Sequence, residues 1–231
     1  MQFKNKLYCL THALIFISSA AIGQISNRSE VGAGLGTFTY TGDLLRSYSI
    51  LQSKVAGSVF YRTNISKVIS FRTSLTGGKI GATEKPIDAF AAKRAASFNI
   101  FLLEASTAFE YHFLNWRDDV RRLRYTPYLF AGMALFGISG NQSKTAPYSN
   151  VQLCIPFGGG MKYVLNPKYY ISFEIGIRKT FFDYLDNLSD GNTQFKNYQY
   201  GSFTDTDNYF FTGITLTYTF YDIPCPSNPY K

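Results

Sequence analysis

The most regular feature of the chain is a period of two. In 208–221, Phe210, Thr212, Ile214, Leu216, Tyr218 and Phe220 alternate with Phe211, Gly213, Thr215, Thr217 and Thr219. In 168–183, Tyr169, Ile171, Phe173, Ile175 and Ile177 alternate with Tyr170, Ser172, Glu174, Gly176 and Arg178. Successive side chains of a strand point to opposite faces, so strict alternation marks a strand whose faces meet different surroundings. Eight segments carry strand chemistry: 30–42, 54–64, 66–78, 98–114, 125–139, 151–165, 168–183 and 208–221. Each supplies the roughly 9–11 residues that a tilted strand needs to cross a bilayer. An even number of such strands predicts an all-β, eight-stranded, antiparallel, up-and-down transmembrane β-barrel.

The charges sharpen that reading. Arg62, Arg72, Glu104, Glu110, Lys162, Glu174 and Arg178 all fall on the less apolar face of their strands. A one-residue slip would turn several of them to the lipid at once. An eight-stranded barrel is just wide enough for its interior to be filled by side chains. The expectation is therefore a plugged lumen laced with ion pairs among those seven residues, with Glu30 a further candidate on the first strand. His112, the one histidine beyond the first 24 residues, is expected in the lumen or at its rim. Lys179 would point outward near a strand end, where it can snorkel. The fifth strand, Tyr128–Ile138, is apolar on both faces, and alternation does not assign its sides.

The connections alternate between short and long. Ile65 and Asn166–Pro167 are short, whereas 43–53, 79–97, 140–150 and 184–207 are long. Outer-membrane barrels pair short periplasmic turns with long extracellular loops, so both barrel termini are expected in the periplasm. The connection 115–124 should then be a periplasmic turn, but it is long and carries Arg117, Arg121, Arg122 and Arg124. Arginine forks pair bidentately with carboxylates, making this turn the candidate partner-binding element. The bland alternative is anionic lipid or simple solvation, although Asp118 and Asp119 weaken a lipid-only account.

Composition fits the same picture. Aromatics make up 17% of the 231 residues and charged residues 16%, the latter below the roughly 25% of a soluble domain. Mean hydropathy is −0.09, and no apolar run of about 18 residues follows residue 24, which argues against transmembrane helices. Residues 1–23 read as a signal peptide: Lys4 and Lys6, an apolar stretch, then Ala21 and Gly23 before the cut. The domain organisation is thus a signal peptide at 1–23, a barrel at 24–221 and a Pro-rich periplasmic tail at 222–231. Removing Lys4 and Lys6 from the formal +8 leaves +6, a balance suited to anionic lipid or an acidic partner. No nucleic-acid motif is present.

Catalytic chemistry finds little support. A barrel hydrolase would need a nucleophile and base near the outer leaflet, and no histidine is available there. Asp183, Asp186, Asp190, Asp205 and Asp207 could offer oxygen ligands to Ca²⁺, but their spacing matches no EF-hand, and solvated loop carboxylates are commoner. Gly158-Gly159-Gly160 lacks the Lys-Ser/Thr of a phosphate loop and sits within a strand; close packing or a bend explains it better. No enzyme activity, metal or cofactor is expected. Cys154 and Cys225 could be bridged or free, and spacing does not decide.

Several stretches resemble the PorG-like family, small outer-membrane proteins of the type IX secretion system. They are YTGDL at 40–44, YTPYLFAG at 125–132, IPFGGGMKY at 155–163, EIGIRKTFFDYLD at 174–186, and the terminal Cys225-Pro226. The resemblance spans nearly all of the mature chain in order. It implies an outer-membrane barrel that supports protein export by contacting periplasmic lipoproteins and ring subunits of that apparatus. The other reading is a stand-alone OmpA-like barrel for envelope structure or extracellular ligand binding. A lipid-modifying barrel enzyme is a third.

Overall fold

The computed structural model describes residues 29–42, 48–83, 97–114, 124–139, 149–166, 168–181 and 207–220. Within them the chain forms eight strands: β1 (Ser29–Thr41), β2 (Lys54–Asn64), β3 (Ile69–Thr83), β4 (Ser97–His112), β5 (Tyr125–Ser139), β6 (Val151–Val164), β7 (Tyr169–Thr180) and β8 (Asn208–Thr219). Each pairs antiparallel with its neighbours in sequence, and β1 closes on β8. Closure leaves no unpaired sheet edge, the condition for strands to sit in lipid.

The two ends differ. At one end lie two short turns, 65–68 and 165–168, and the ends of β1 and β8, joined by the Phe220 N–H bonding to the Ser29 carbonyl. Both turns are closed in the same way. Ser66 Oγ accepts from the N–H groups of Val68 and Ile69, and Asn166 Oδ1 accepts from those of Lys168 and Tyr169. A short polar side chain thus satisfies backbone donors that the tight reversal leaves without strand partners. We call this the turn end and the opposite one the loop end.

One boundary differs from the sequence expectation. Residues 79–83 belong to β3, not to a loop, and pair with Ser97–Phe101. Gly77, Gly78 and Gly81 hide the strand in the sequence, yet the wall needs a glycine there. A Cβ on Gly78 would lie 2.5 Å from the Ala56 Cβ. The short turns are also longer than Ile65 and Asn166–Pro167 alone, because the ladder starts at Ile69 and Tyr169.

The outward face is an apolar belt. On β4, for instance, Phe101, Leu103, Phe109 and Tyr111 are exposed while Leu102, Glu104, Ala108, Glu110 and His112 are buried inside. From Tyr111 to Phe101 the strand advances about 33 Å; tilted by about 40° it spans about 25 Å of bilayer. At the turn end the belt finishes in outward tyrosines on six strands: Tyr61, Tyr111, Tyr125, Tyr163, Tyr169 and Tyr218. Such amphipathic rings mark a membrane interface. The fifth strand is now assigned. Thr126, Tyr128, Phe130, Ala134, Phe136 and Ile138 are buried inside, and Tyr125, Leu129, Met133 and Leu135 are exposed outside.

Candidate functional site

The turn-end half of the lumen is a single connected ion-pair network. Glu110 on β4 stands at its centre. Arg62 approaches it from β2, with Nε 2.9 Å from Oε2 and Nη2 donating to Oε1 at 3.0 Å. Lys162 on β6 donates to Oε2 at 2.8 Å, and Arg72 Nε on β3 lies 3.2 Å from Oε1. Arg62 also pairs with Glu30 of β1 at 2.8 Å, and Arg72 with Glu174 of β7 at 2.5 Å. Tyrosines complete the shell: Tyr170 donates to Glu30, and Tyr128 to Glu174 at 3.0 Å. A carboxylate removed from water costs several kcal/mol unless it is paired and hydrogen-bonded, and here each partner comes from a different strand.

His112 is fully buried in this network. Lys162 Nζ lies 2.5 Å from its Nε2, and its Nδ1 lies 3.3 Å from the Val68 carbonyl. Through these two contacts His112 ties β4 to Lys162 on one side and to the 65–68 turn on the other.

Arg178 on β7 makes a second, smaller cluster nearer mid-barrel. Its Nε lies 3.2 Å from Glu104 Oε2, which also accepts from Tyr209 at 2.7 Å. Its Nη1 donates to the Gly176 carbonyl at 2.9 Å. The seven charged residues expected in the lumen are thus all inside, with Glu30 as the eighth. Four cations face four carboxylates.

Arginine faces and rings stack between the pairs. Arg62 lies 4.6 Å from the Phe60 ring centre, and Arg72 lies 4.9 Å from that of Phe130. Room for Phe130 comes from small residues on the next two strands, Gly158 paired with it on β6 and Gly176 paired with Gly158 on β7: a Cβ on Gly176 would sit 2.6 Å from its ring and one on Gly158 3.0 Å. The 158–160 glycines are therefore a packing notch within β6. Pro156 in the same strand has no N–H to give, and the β5–β6 ladder is interrupted between the Ala131–Phe157 and Ala134–Cys154 pairs.

The loop-end half has a different filling. Phe38, Tyr40, Ile80, Ile100, Leu102, Phe136, Ile138 and Phe211 form one apolar cluster across the barrel. Edge-to-face pairs order it, Phe38 with Tyr209 at 5.6 Å and Phe136 with Tyr209 at 5.7 Å. Cys154 is a free, buried thiol here, 3.5 Å from the Tyr209 hydroxyl. Asp207, one of the five aspartates considered for Ca²⁺, is buried and accepts from the Tyr40 hydroxyl at 2.6 Å. Asp183, Asp186, Asp190 and Asp205 lie outside the described residues, as do Cys225, the signal segment and the tail.

The outside carries the opposite electrostatics. Among the described residues every carboxylate (Glu30, Glu104, Glu110, Glu174, Asp207) is inside and buried. Among the described residues the exposed charged side chains are all cationic: Lys67, Arg124 and Lys168 at the turn end, Lys79 and Lys179 on the outward face toward the loop end, and Lys54 at the loop-end rim in the register of Phe38. Arg124 is exposed, while its carbonyl accepts from the Val164 N–H at 2.7 Å. Arg117, Arg121 and Arg122 lie outside the described residues.

The chain matches a family known as a domain of unknown function, DUF6089, over residues 6–228. The chain belongs to the DUF6089 family. No curated protein matches this DUF6089 chain in sequence. Its fold is shared with Neisserial surface protein A, at a TM-score of 0.53 and 10% identity over 84% of this chain and all of that one. More distant likenesses are Ail, the attachment invasion locus protein of Yersinia pestis (TM-score 0.47, 10% identity, 85% of this chain and 100% of that one), and the N-terminal barrel of Pseudomonas aeruginosa OprF (0.42, 15%, 85% and 100%). The DUF6089 barrel is a small β-barrel of the outer-membrane type, and lipid is the solvent of its belt.

Sequence reasoning missed the tyrosines that complete the network. Tyr170 and Tyr128 carry no charge to mark them, and Tyr209 sits at the start of β8. Their signal is positional: each shares the inward parity of a charged or polar neighbour on its strand.

Proposed function

We propose that this DUF6089 barrel is a component of type IX protein secretion that works by binding, not by catalysis. It sits in the outer membrane with the turn end and both barrel termini in the periplasm. There the arginine turn at 115–124 and the tail at 222–231 hold periplasmic lipoproteins and ring subunits of the apparatus. The observation that carries this reading is where the chain leaves charge available. Its described carboxylates and the cations that pair with them are consumed inside the wall, whereas the turn end displays Arg124 and Lys168 to the outside. A filled lumen leaves the ends and the outer wall as working surfaces. Fixed cations beside a mobile acidic partner favour encounter and register, and Arg117, Arg121 and Arg122 extend the same charge in sequence. The PorG-like stretches support the assignment to secretion.

An affinity pull-down from gently solubilised envelopes tests it, with an R117E/R121E/R122E variant beside the native chain. Native protein should recover periplasmic secretion lipoproteins, and the variant should lose them while remaining folded. Equal recovery by both would remove the turn from the account. Recovery of no secretion component would favour a stand-alone barrel acting through its long loops.

A further inference from the structure

Between the two fillings of the lumen lies a third kind of surface. The inner faces of β2, β3 and β4 carry four hydroxyls side by side near mid-barrel. Ser58 pairs with Thr76 and Thr76 with Glu104 across the ladders, and Ser74 pairs with Ser106. Ser74 and Ser106 join their hydroxyls at 2.7 Å. The flanks are small as well: Gly34 pairs with Ser58, and Ala134 with Ser106. Toward the turns the patch ends at Phe60 and Arg72. Toward the loops it ends at Ala56, Ile80 and Leu102, which belong to the apolar cluster. Although they point inward, Ser58 and Ser106 each keep 8% of their surface accessible, and Ser74 is not fully buried. Ile80, Leu102 and Glu104 beside them keep none. Small side chains thus leave room against the hydroxyls, in a chamber closed by the ion-pair network on one side and by packed rings on the other.

The chamber carries one demand that the surrounding side chains do not meet. Glu104 Oε2 accepts from Tyr209 and faces Arg178. Its other oxygen, Oε1, is buried and accepts from no donor among the described residues. A buried carboxylate oxygen left without a donor is costly. The partner it needs must donate a hydrogen. It must also be neutral, because Arg178 already balances the Glu104 charge, and a further cation would leave a buried positive charge uncompensated. It must be small, because packed side chains close the lumen on both sides. Serine and threonine hydroxyls both donate and accept, so the remaining bonds of such a partner can be of either sense. Water meets all of these conditions.

We propose that this mid-lumen chamber binds a small cluster of water, one molecule donating to Glu104 Oε1 and the cluster held by the hydroxyls of Ser58, Ser74, Thr76 and Ser106. Buried waters make about three hydrogen bonds each to polar groups that are otherwise unsatisfied. Here one carboxylate oxygen and four hydroxyls stand in a single contiguous patch. The water completes the solvation of Glu104 and lets a buried ion pair sit beside a dry apolar cluster. It is sealed in on both sides and carries no ionic current. The inference rests neither on the orientation of the barrel nor on the secretion role.

The test reads water directly, by NMR transfer of magnetisation from water to methyl groups in the full chain folded in neutral detergent with deuterated tails. The outside of the belt meets detergent, so a transfer at mid-barrel comes from the lumen. It should appear at the Thr76 methyl and be absent at Ile80 and Ile100 in the apolar cluster. S74V/S106V fills the chamber with methyl groups and should remove the Thr76 signal. S58A adds no volume and should weaken it, and amide dispersion reports that each variant is folded. No transfer to Thr76 in the native chain, equal transfer to Ile80 and Ile100, or a signal unchanged in both folded variants would overturn the site. A shift of the Thr76 methyl on exchanging choline chloride for sodium or potassium chloride would overturn water as the occupant in favour of a cation.

Discussion

The two halves of the lumen fill the same narrow tube with opposite chemistry. Toward the turns, Glu30, Arg62, Arg72, Glu110, Lys162 and Glu174 are buried and form five pairs, two between adjacent strands and three between strands farther apart in the wall. Toward the loops, Phe38, Phe136, Phe211, Ile80 and Leu102 pack as a dry cluster. The first half is held by charges that cannot be left alone; the second is held by volume. A barrel wall imposes only a period of two, so it accepts either filling, and the choice decides which mutations each half tolerates.

The largest effect is expected in the charged half. Glu110→Ala leaves Arg62, Lys162 and Arg72 without their shared partner. Removing one member of a buried ion pair costs about 3–5 kcal/mol, and Glu110 serves three. Urea unfolding of the detergent-folded barrel should show the midpoint falling further than for any single change in the apolar half. In that half, Phe136→Ala opens a cavity beside Tyr209 and should cost about 3–4 kcal/mol in the same experiment. If Phe136→Ala proves the more damaging, packing and not pairing dominates throughout.

A third variant sharpens the contrast. Replacing both Arg72 and Glu174 by leucine removes the pair together, and buried pairs exchanged for apolar residues are often neutral in stability. The double variant should lie within about 1 kcal/mol of the native chain, closer than either single substitution. Glu110, which loses Arg72, and Tyr128, which loses its acceptor on Glu174, set the size of the residual loss. A double variant as unstable as the sum of the singles would mean that the two residues act independently and that their pairing carries no coupling energy.

The same contrast explains what was legible in the sequence. Charges stand out against an apolar background, so Arg62, Arg72, Glu104, Glu110, Lys162, Glu174 and Arg178 reveal the inward face of their strands, and with it the register. Apolar filling leaves no such mark. The inward Phe130, Ala134, Phe136 and Ile138 of β5 are as apolar as the outward Leu129, Met133 and Leu135, so alternation cannot separate lumen from lipid there. The seating of residues 48–53 on the wall is invisible for another reason: nothing local to Tyr48 or Gln52 foretells that they meet Phe210 and Thr83, far along the chain.

The central claim is that the barrel is filled from end to end and acts through its surfaces. Planar-bilayer recording of the purified full chain tests this most directly. The account predicts no steady ionic current for the native protein, because paired side chains and aromatic rings occupy the lumen in both halves. A stable, reproducible single-channel conductance from folded native protein would contradict it and make the lumen itself the functional site.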